Sequence, residues 1–151
     1  MLWLTGKPGS GKSTLLKNAL LKEIELHDNL TVSFFFYKSN SNEHTTSLNL
    51  YRCLLGQLIG GCQERRWYQL TDTIKQLIVN RSEQEKDNNE WIWHPDELSR
   101  FLRDCGRKVV EKCAVQIFVD ALDECDIADQ GILEKFFSRR CNQIVHQHRR
   151  G

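Results

Sequence analysis

Two hydrophobic patterns alternate along the 151 residues of the chain. In some stretches apolar residues recur every three or four positions, which predicts amphipathic helices, and in others nearly every position is apolar, which predicts buried strands. Strands that are apolar on both faces and alternate with helices predict a mostly parallel sheet with helices on both sides. The helical pattern covers approximately residues 12–26, 48–59, 67–79, 95–113 and 127–145, and the strand pattern covers residues 2–5, 30–37 and 114–119.

Glycine and proline residues mark the expected boundaries of these elements. Gly60 and Gly61 are expected to end the second helix, and the polar residues 80–90, which lack periodicity, are expected to form an exposed loop. Pro95 suits the first turn of a helix, where a missing N–H is tolerated. Because the chain has the length of one ordinary domain and no internal repeat, residues 1–151 are expected to form a single domain.

The most specific chemical signal lies between the first predicted strand and the first predicted helix. Residues 6–13 read Gly-Lys-Pro-Gly-Ser-Gly-Lys-Ser and fit the phosphate-binding pattern Gly-x-x-x-x-Gly-Lys-Ser/Thr. Glycines let the backbone direct its amides at a phosphate, at a helix N-terminus that adds partial positive charge. Lys12 is expected to reach the terminal phosphates, and Ser13 to ligate magnesium. The predicted nucleotide-binding residues are Gly6, Lys7, Pro8, Gly9, Ser10, Gly11, Lys12, Ser13 and Thr14.

A second candidate site follows the predicted strand at residues 114–119. The strand leads directly to Asp120, where an acid can hold hydrated magnesium, and Asp123 and Glu124 follow as candidates to orient or deprotonate an attacking water. Acids also follow strands in ordinary solvated loops, and taken alone the pattern favours a loop. Together with the upstream glycine-rich segment it predicts metal-side roles for Ser13 and Asp120 and catalytic roles for Asp123 and Glu124.

Charge, hydropathy and cysteine content narrow the functional classes. The formal net charge of +1 gives no reason to expect nucleic acid or a membrane surface as a partner. No apolar run approaches the roughly 18 residues of a spanning helix, and the first residues carry no secretory signal, so a cytoplasmic location is expected. The six cysteines form no metal-ligand spacing and are expected to be reduced thiols in the core.

Four blocks of the sequence, at residues 2–15, 33–36, 51–58 and 118–125, resemble one family in order and spacing. They are similar to the NACHT-domain P-loop NTPases of the STAND class, especially fungal NLR-like and nephrocystin-3-like proteins. The block Asp-Ala-Leu-Asp-Glu-Cys is more specific than the phosphate-binding pattern by itself. The resemblance implies a three-layer α/β P-loop NTPase sandwich that binds ATP or ADP with Mg²⁺. It also implies a switch in signal transduction or innate immunity, in which ATP promotes self-association of a longer, repeat-containing protein.

The sequence departs from this family in two places. After Phe36 the family continues with a small residue, Arg and Gly, whereas this chain has Tyr37, Lys38 and Ser39. The next central strand of the family, which ends in an arginine that senses the γ-phosphate, has no counterpart after the acidic block. The sheet is therefore expected to be incomplete at its C-terminal end, and the isolated chain to be poorly stable and to bind nucleotide weakly.

Three functions are consistent with these observations. The leading prediction is the nucleoside-triphosphate-binding module of an NLR-like signalling switch, with ATP as the expected nucleotide and slow hydrolysis in the complete protein. One alternative is an inactive remnant that acts as an interaction module, because the sensor strand is missing. The other is a P-loop kinase or transferase, although no basic cluster flanks a second pocket before the tail.

Overall fold

Helices and strands alternate in the part of the chain that the computed structural model describes, which is residues 4, 6–7, 9–26, 29–37, 46–84, 93–133 and 135–137. Of the predicted strand at residues 2–5 only Leu4 is described, and its side chain is exposed. A 3₁₀ turn at Leu122–Glu124 and helical residues 127–133 and 135–137 follow the last strand. The other elements are α1 (Lys12–Leu26), β1 (Leu30–Phe35), α2 (Ser47–Glu64), α3 (Tyr68–Gln84), α4 (Pro95–Val110) and β2 (Val115–Asp120).

The two strands are parallel neighbours, with Leu30 opposite Val115 and Phe35 opposite Asp120. The pairing continues one residue further, where Phe36 N donates to the Asp120 carbonyl at 3.1 Å. The chain reaches β2 from β1 through α2, α3 and α4, because parallel strands need a long crossover connection. The parallel pairing that the apolar strands predict is thus found between β1 and β2.

The hydrophobic core lies between one face of β1 and the helices α2 and α4. Positions along β1 alternate between buried and half-buried, and α2 packs against this strand. On the other face Phe35 lies beneath Lys17 of α1, whose ammonium nitrogen is 5.6 Å from the ring centroid. Helices therefore contact both faces of the sheet. The buried apolar residues of α2 and α4 are Leu50, Tyr51, Leu54, Leu55, Leu58, Cys62, Leu98, Leu102, Cys105 and Val109.

The predicted helix end at Gly60 and Gly61 is wrong, because α2 continues through both glycines to Glu64. Gly61 lies so close to β1 that a Cβ atom at this position would overlap the side chain of Leu30. This glycine permits the close approach of a helix to a strand, and it does not break the helix.

The remaining helices follow the predicted pattern with shifted ends. α3 extends to Gln84, so residues 80–84 are helical and not loop, while residues 85–90 of the predicted loop lie outside the described residues. α4 begins at Pro95 as predicted, and the Nδ1 atom of His94 accepts a hydrogen bond from Asp96 N at 3.4 Å. The helix predicted at residues 127–145 is described as far as residue 137. Within the described ranges none of the helices combines the length and the hydropathy of a membrane span.

All the cysteines that the structure describes are free thiols. Their predicted core position is wrong for Cys53, which is exposed on α2. Burial raises the pKa of Cys105 to about 12 and the pKa of Cys125 to about 11, so both thiols stay protonated at neutral pH. Cys62, Cys105 and Cys125 are buried and Cys113 is half-buried, whereas Cys141 lies outside the described residues.

β2 and α1 are less buried than their apolar sequences predict. No residue of β2 is buried, and Ile117 is 38% exposed. Among the described residues only β1 pairs with β2, whereas a central strand of a parallel sheet has a neighbour on each side. Likewise α1 has no buried residue, and Leu15, Leu21 and Leu26 are each more than half exposed.

Candidate functional site

The glycine-rich loop leads into α1, which begins at Lys12. Gly9 and Gly11 have φ angles of 76° and 83°, a left-handed conformation that residues with a Cβ atom rarely adopt. Between them the chain turns tightly, and Ser10 N donates to the Lys7 carbonyl at 3.2 Å. Glycine is therefore required at these two positions by backbone geometry.

Lys12 folds back over the loop that precedes it. Its Nζ atom donates to the carbonyl of Gly6 at 2.9 Å and to the carbonyl of Lys7 at 3.1 Å. These two bonds use two of the three ammonium donors and close the loop around a cation. A phosphate oxygen carries negative charge and would attract the ammonium group more strongly than a neutral carbonyl does. The loop thus holds the ammonium group of Lys12 at a place where it can bind an anion.

The first turn of α1 adds further groups that bind anions. The N–H groups of a first helical turn have no intrahelical partner, and the helix dipole places partial positive charge there. Ser13 and Thr14 lie in this turn, and both are exposed. Amide, ammonium and hydroxyl groups therefore meet at one helix start, a set that suits a phosphate group and a hydrated cation. Pro8, the remaining residue of the predicted loop, lies outside the described residues.

The three predicted acids follow one another at the carboxyl end of β2. Asp120 is the last residue of the strand and is half-buried. Ala121 has a left-handed backbone, with φ 53° and ψ 43°, and turns the chain from the strand into the 3₁₀ turn. Glu124 N donates to the Ala121 carbonyl at 2.8 Å. Glu124 is half-buried and Asp123 is exposed, so the turn presents two acids of different solvent access.

The helix that follows the glycine-rich loop contacts the sheet close to the acidic turn. Lys17, in the second turn of α1, lies over the ring of Phe35, and Phe35 is paired with Asp120. α1 contacts both strands. The second turn of α1 therefore lies over the end of β1 that is paired with Asp120. Across the described residues no group of three or more His, Cys, Asp or Glu side chains could hold a metal ion.

Of two residues outside the predicted set, Gln130 holds the acidic turn and Asp129 joins the segment that follows it to α2. The Nε2 atom of Gln130 donates to the carbonyls of Asp123 at 3.3 Å and Cys125 at 3.0 Å. Asp129 accepts a hydrogen bond at Oδ2 from Ser47 N, at the start of α2, at 2.7 Å. Sequence reasoning missed both residues, because Asp and Gln on a helical stretch usually face solvent and carry no pattern of their own.

A buried polar group lies behind this segment. Tyr51 of α2 is fully buried, its ring is 5.1 Å from the ring of Phe136, and its hydroxyl has no hydrogen-bond partner in the described part of the chain. Burial, assisted by the carboxylates of Asp129 and Asp96, raises the pKa of Tyr51 to about 12. The tyrosine is therefore neutral at physiological pH.

The family described as Nephrocystin 3, N-terminal has a model that matches residues 1–148. This match covers the glycine-rich loop, both strands and the acidic turn. No curated protein and no solved structure matches the chain.

Proposed function

The chain belongs to the Nephrocystin 3, N-terminal family, and on that premise we propose that it is a nucleotide-binding module, with ATP or ADP and Mg²⁺ as its ligands. The observation that carries this proposal is the position of Lys12. Its ammonium group lies on the carbonyls of a glycine-rich loop, at the start of a helix that contacts both strands of the sheet.

The phosphates of the nucleotide would bind to the loop and to the first turn of α1. Lys12 would exchange the carbonyls of Gly6 and Lys7 for oxygens of the terminal phosphates, because a charged acceptor is the better partner. Gly9 and Gly11, both left-handed, have no side chain that would hinder the approach of a phosphate. The proposed nucleotide-contacting segment is therefore Gly6 to Thr14.

Ser13 and Asp120 are the residues proposed to hold the magnesium ion. The hydroxyl of Ser13 is exposed in the first helical turn, and the carboxylate of Asp120 is half-buried at the strand end. Mg²⁺ prefers oxygen ligands and keeps several waters, and when bound it would neutralise charge on the phosphate oxygens. Asp123 and Glu124 would orient or deprotonate the water that attacks the terminal phosphate, which makes slow hydrolysis the proposed reaction.

The wider role is proposed from the family resemblance. The acidic block at residues 120–125 and the upstream loop are similar to those of NACHT-type P-loop switches. On that basis the module would act in the cytoplasm in a signalling protein that self-associates when ATP is bound. A purely structural interaction module is the second candidate, and it is favoured by the exposed Leu15, Leu21 and Leu26 of α1.

Binding of a fluorescent ATP analogue with Mg²⁺, and release of phosphate, test this proposal. Lys12→Ala is expected to weaken binding about 10- to 100-fold, because it removes a charge-assisted hydrogen bond to phosphate. Asp120→Ala is expected to weaken the magnesium-dependent part of binding. Lys22→Ala is the matched control, because Lys22 is an exposed lysine of the same helix, away from the loop.

Equal affinity of wild type, Lys12→Ala and Asp120→Ala for the ATP analogue would contradict the proposal and favour the interaction module. Formation of ADP and free phosphate without an added acceptor would identify a hydrolase, whereas ADP formation that needs an acceptor and phosphorylates it would identify a kinase or transferase.

A further inference from the structure

The side chain of Gln130 binds the backbone on both sides of Glu124. Its amide nitrogen donates to the carbonyl of Asp123, the residue before, and to the carbonyl of Cys125, the residue after. The N–H of Glu124 is itself bonded to the Ala121 carbonyl. Glu124 is therefore held through its own amide and through the carbonyls of its two neighbours.

The acidic turn needs such support, because it is short and starts from an unfavourable backbone conformation. The 3₁₀ turn has only three residues, and hydrogen bonds in 3₁₀ turns are weaker than those of an α-helix. Ala121 has φ 53°, a left-handed conformation that is unfavourable for a residue with a Cβ atom. Without an external partner the carbonyls at the end of the turn would have only solvent to bind.

Gln130 can provide this support because its own helical segment is fixed. Gln130 N donates to the Asp126 carbonyl at 3.1 Å, which starts the segment. One turn later Leu133 is fully buried, and Phe136 packs on Tyr51 of α2. The side-chain amide therefore projects from an element that is anchored in the core.

We propose that Gln130 is a positioning residue for the hydrolysis reaction, which fixes the carboxylate of Glu124 by holding the backbone around it. The inference rests on the proposed function, because it assigns Gln130 a role in the reaction of that same site. Gln130 does not need to touch the nucleotide. Its loss should affect turnover while leaving the affinity of the phosphate-binding loop intact.

Three variants of the full chain separate this role from a general structural one. Gln130→Met keeps the length of the side chain and removes the donor, and Gln130→Lys restores a donor on a flexible side chain. Ile127→Ala is the control, because Ile127 lies on the same segment and is 88% exposed. Each variant is assayed for exchange of the Glu124 and Cys125 amides by NMR, for affinity for a fluorescent ATP analogue, and for phosphate release.

In Gln130→Met, amide exchange at Glu124 is expected to be about fivefold faster, the effect of losing roughly one hydrogen bond. Phosphate release is expected to fall about tenfold while affinity stays within about twofold, because only the step that uses Glu124 is affected. Gln130→Lys is expected to recover both exchange and turnover, and Ile127→Ala to match the wild type.

Unchanged exchange in Gln130→Met would overturn the inference, and so would faster exchange with unchanged turnover. A parallel loss of affinity and turnover would also overturn it, because that result indicates a structural role. Failure of the proposed function is distinguishable, since the wild type would then bind no nucleotide. In that case Gln130 has no role in hydrolysis either.

Discussion

Gln57 of α2 and Ser33 of β1 are joined by two hydrogen bonds that run in opposite directions. The Oε1 atom of Gln57 accepts from Ser33 N at 2.8 Å, and its Nε2 atom donates to the Ser33 carbonyl at 2.7 Å. The even-numbered Leu30 and Phe36 direct their N–H groups to β2. Because backbone groups of successive strand residues point to opposite sides, the odd-numbered Ser33 directs its N–H and C=O away from β2. The amide of Gln57 thus takes the place of a further strand and closes this edge of the sheet.

Gln57→Leu is expected to lower the free energy of unfolding by about 1–3 kcal/mol, because the half-buried N–H and C=O of Ser33 would lose their partners. Gln57→Glu keeps an acceptor for the N–H and loses the donor, so an intermediate loss is expected. Urea unfolding measures both. Gln63→Leu is the control, because Gln63 is an exposed glutamine of the same helix. Equal losses in Gln57→Leu and Gln63→Leu would contradict an edge-closing role.

Features that depend on local pattern were predictable from the sequence, and features that depend on distant partners were not. The start of α1 at Lys12, and the end of β2 to within one residue, follow from runs of apolar residues and from the polar residues and glycines that bound these runs. Gln57 acts on a strand residue 24 positions earlier, and its role depends on how α2 lies across β1. Gln130 likewise donates hydrogen bonds to backbone carbonyls, which every residue has and which therefore leave no signal in the sequence.

The two glycines of α2 are a second example of a feature that depends on a distant partner. Gly60 and Gly61 are adjacent and identical in the sequence, but their surroundings in the fold differ. A Cβ atom at Gly61 would overlap Leu30, whereas a Cβ atom at Gly60 would have no neighbour within 4 Å among the described residues. The sequence alone does not distinguish the two positions. Substitution by alanine should therefore separate them.

Gly61→Ala is expected to destabilise the protein by about 1–3 kcal/mol, because the overlap with Leu30 forces the helix and the strand apart. Gly60→Ala is expected to stabilise it by about 0.5–1 kcal/mol, because alanine favours the helix interior. The midpoints and slopes of urea unfolding curves give both values. Changes of the same sign in the two variants would contradict the close approach of α2 to β1.

The left-handed backbone of Ala121 predicts an unusual response to glycine. Ala121→Gly relieves the steric cost of φ 53° but adds freedom to the unfolded chain, so stability is expected to stay constant or rise by up to about 1 kcal/mol. Ala121→Val is expected to cost about 1–2 kcal/mol or more, because a β-branched side chain fits this conformation poorly. Ala128→Gly, in the helical segment, provides the contrast and should lose about 0.5–1 kcal/mol. A loss of that size in Ala121→Gly would contradict the left-handed geometry.

Tyr51 is expected to make the stability of the fold depend on pH in the alkaline range. Burial raises the pKa of Tyr51 in the folded protein to about 12, against 10 for an ordinary tyrosine. Because the folded-state pKa is the higher one, the unfolded chain loses its proton first as pH rises. The stability that depends on neutral Tyr51 is therefore complete below pH 10 and is lost as pH rises through 12. The loss expected from this residue by pH 12 is on the order of 2 kcal/mol.

Tyr51→Phe keeps the ring that packs on Phe136 and removes a hydroxyl that has no partner in the described structure. Its unfolding free energy at pH 7 is expected to equal that of the wild type or exceed it by about 1 kcal/mol, since an unpaired buried hydroxyl is costly. Between pH 10 and 12 its stability should fall less steeply, although the buried thiols of Cys105 and Cys125 still contribute in the same direction. Urea unfolding from pH 7 to 12 measures the difference, with Tyr68→Phe, at a tyrosine that is 60% exposed, as the control. An identical alkaline slope in wild type and Tyr51→Phe would mean that the hydroxyl reaches solvent or a partner, because only then could Tyr51 ionise without opposing the fold.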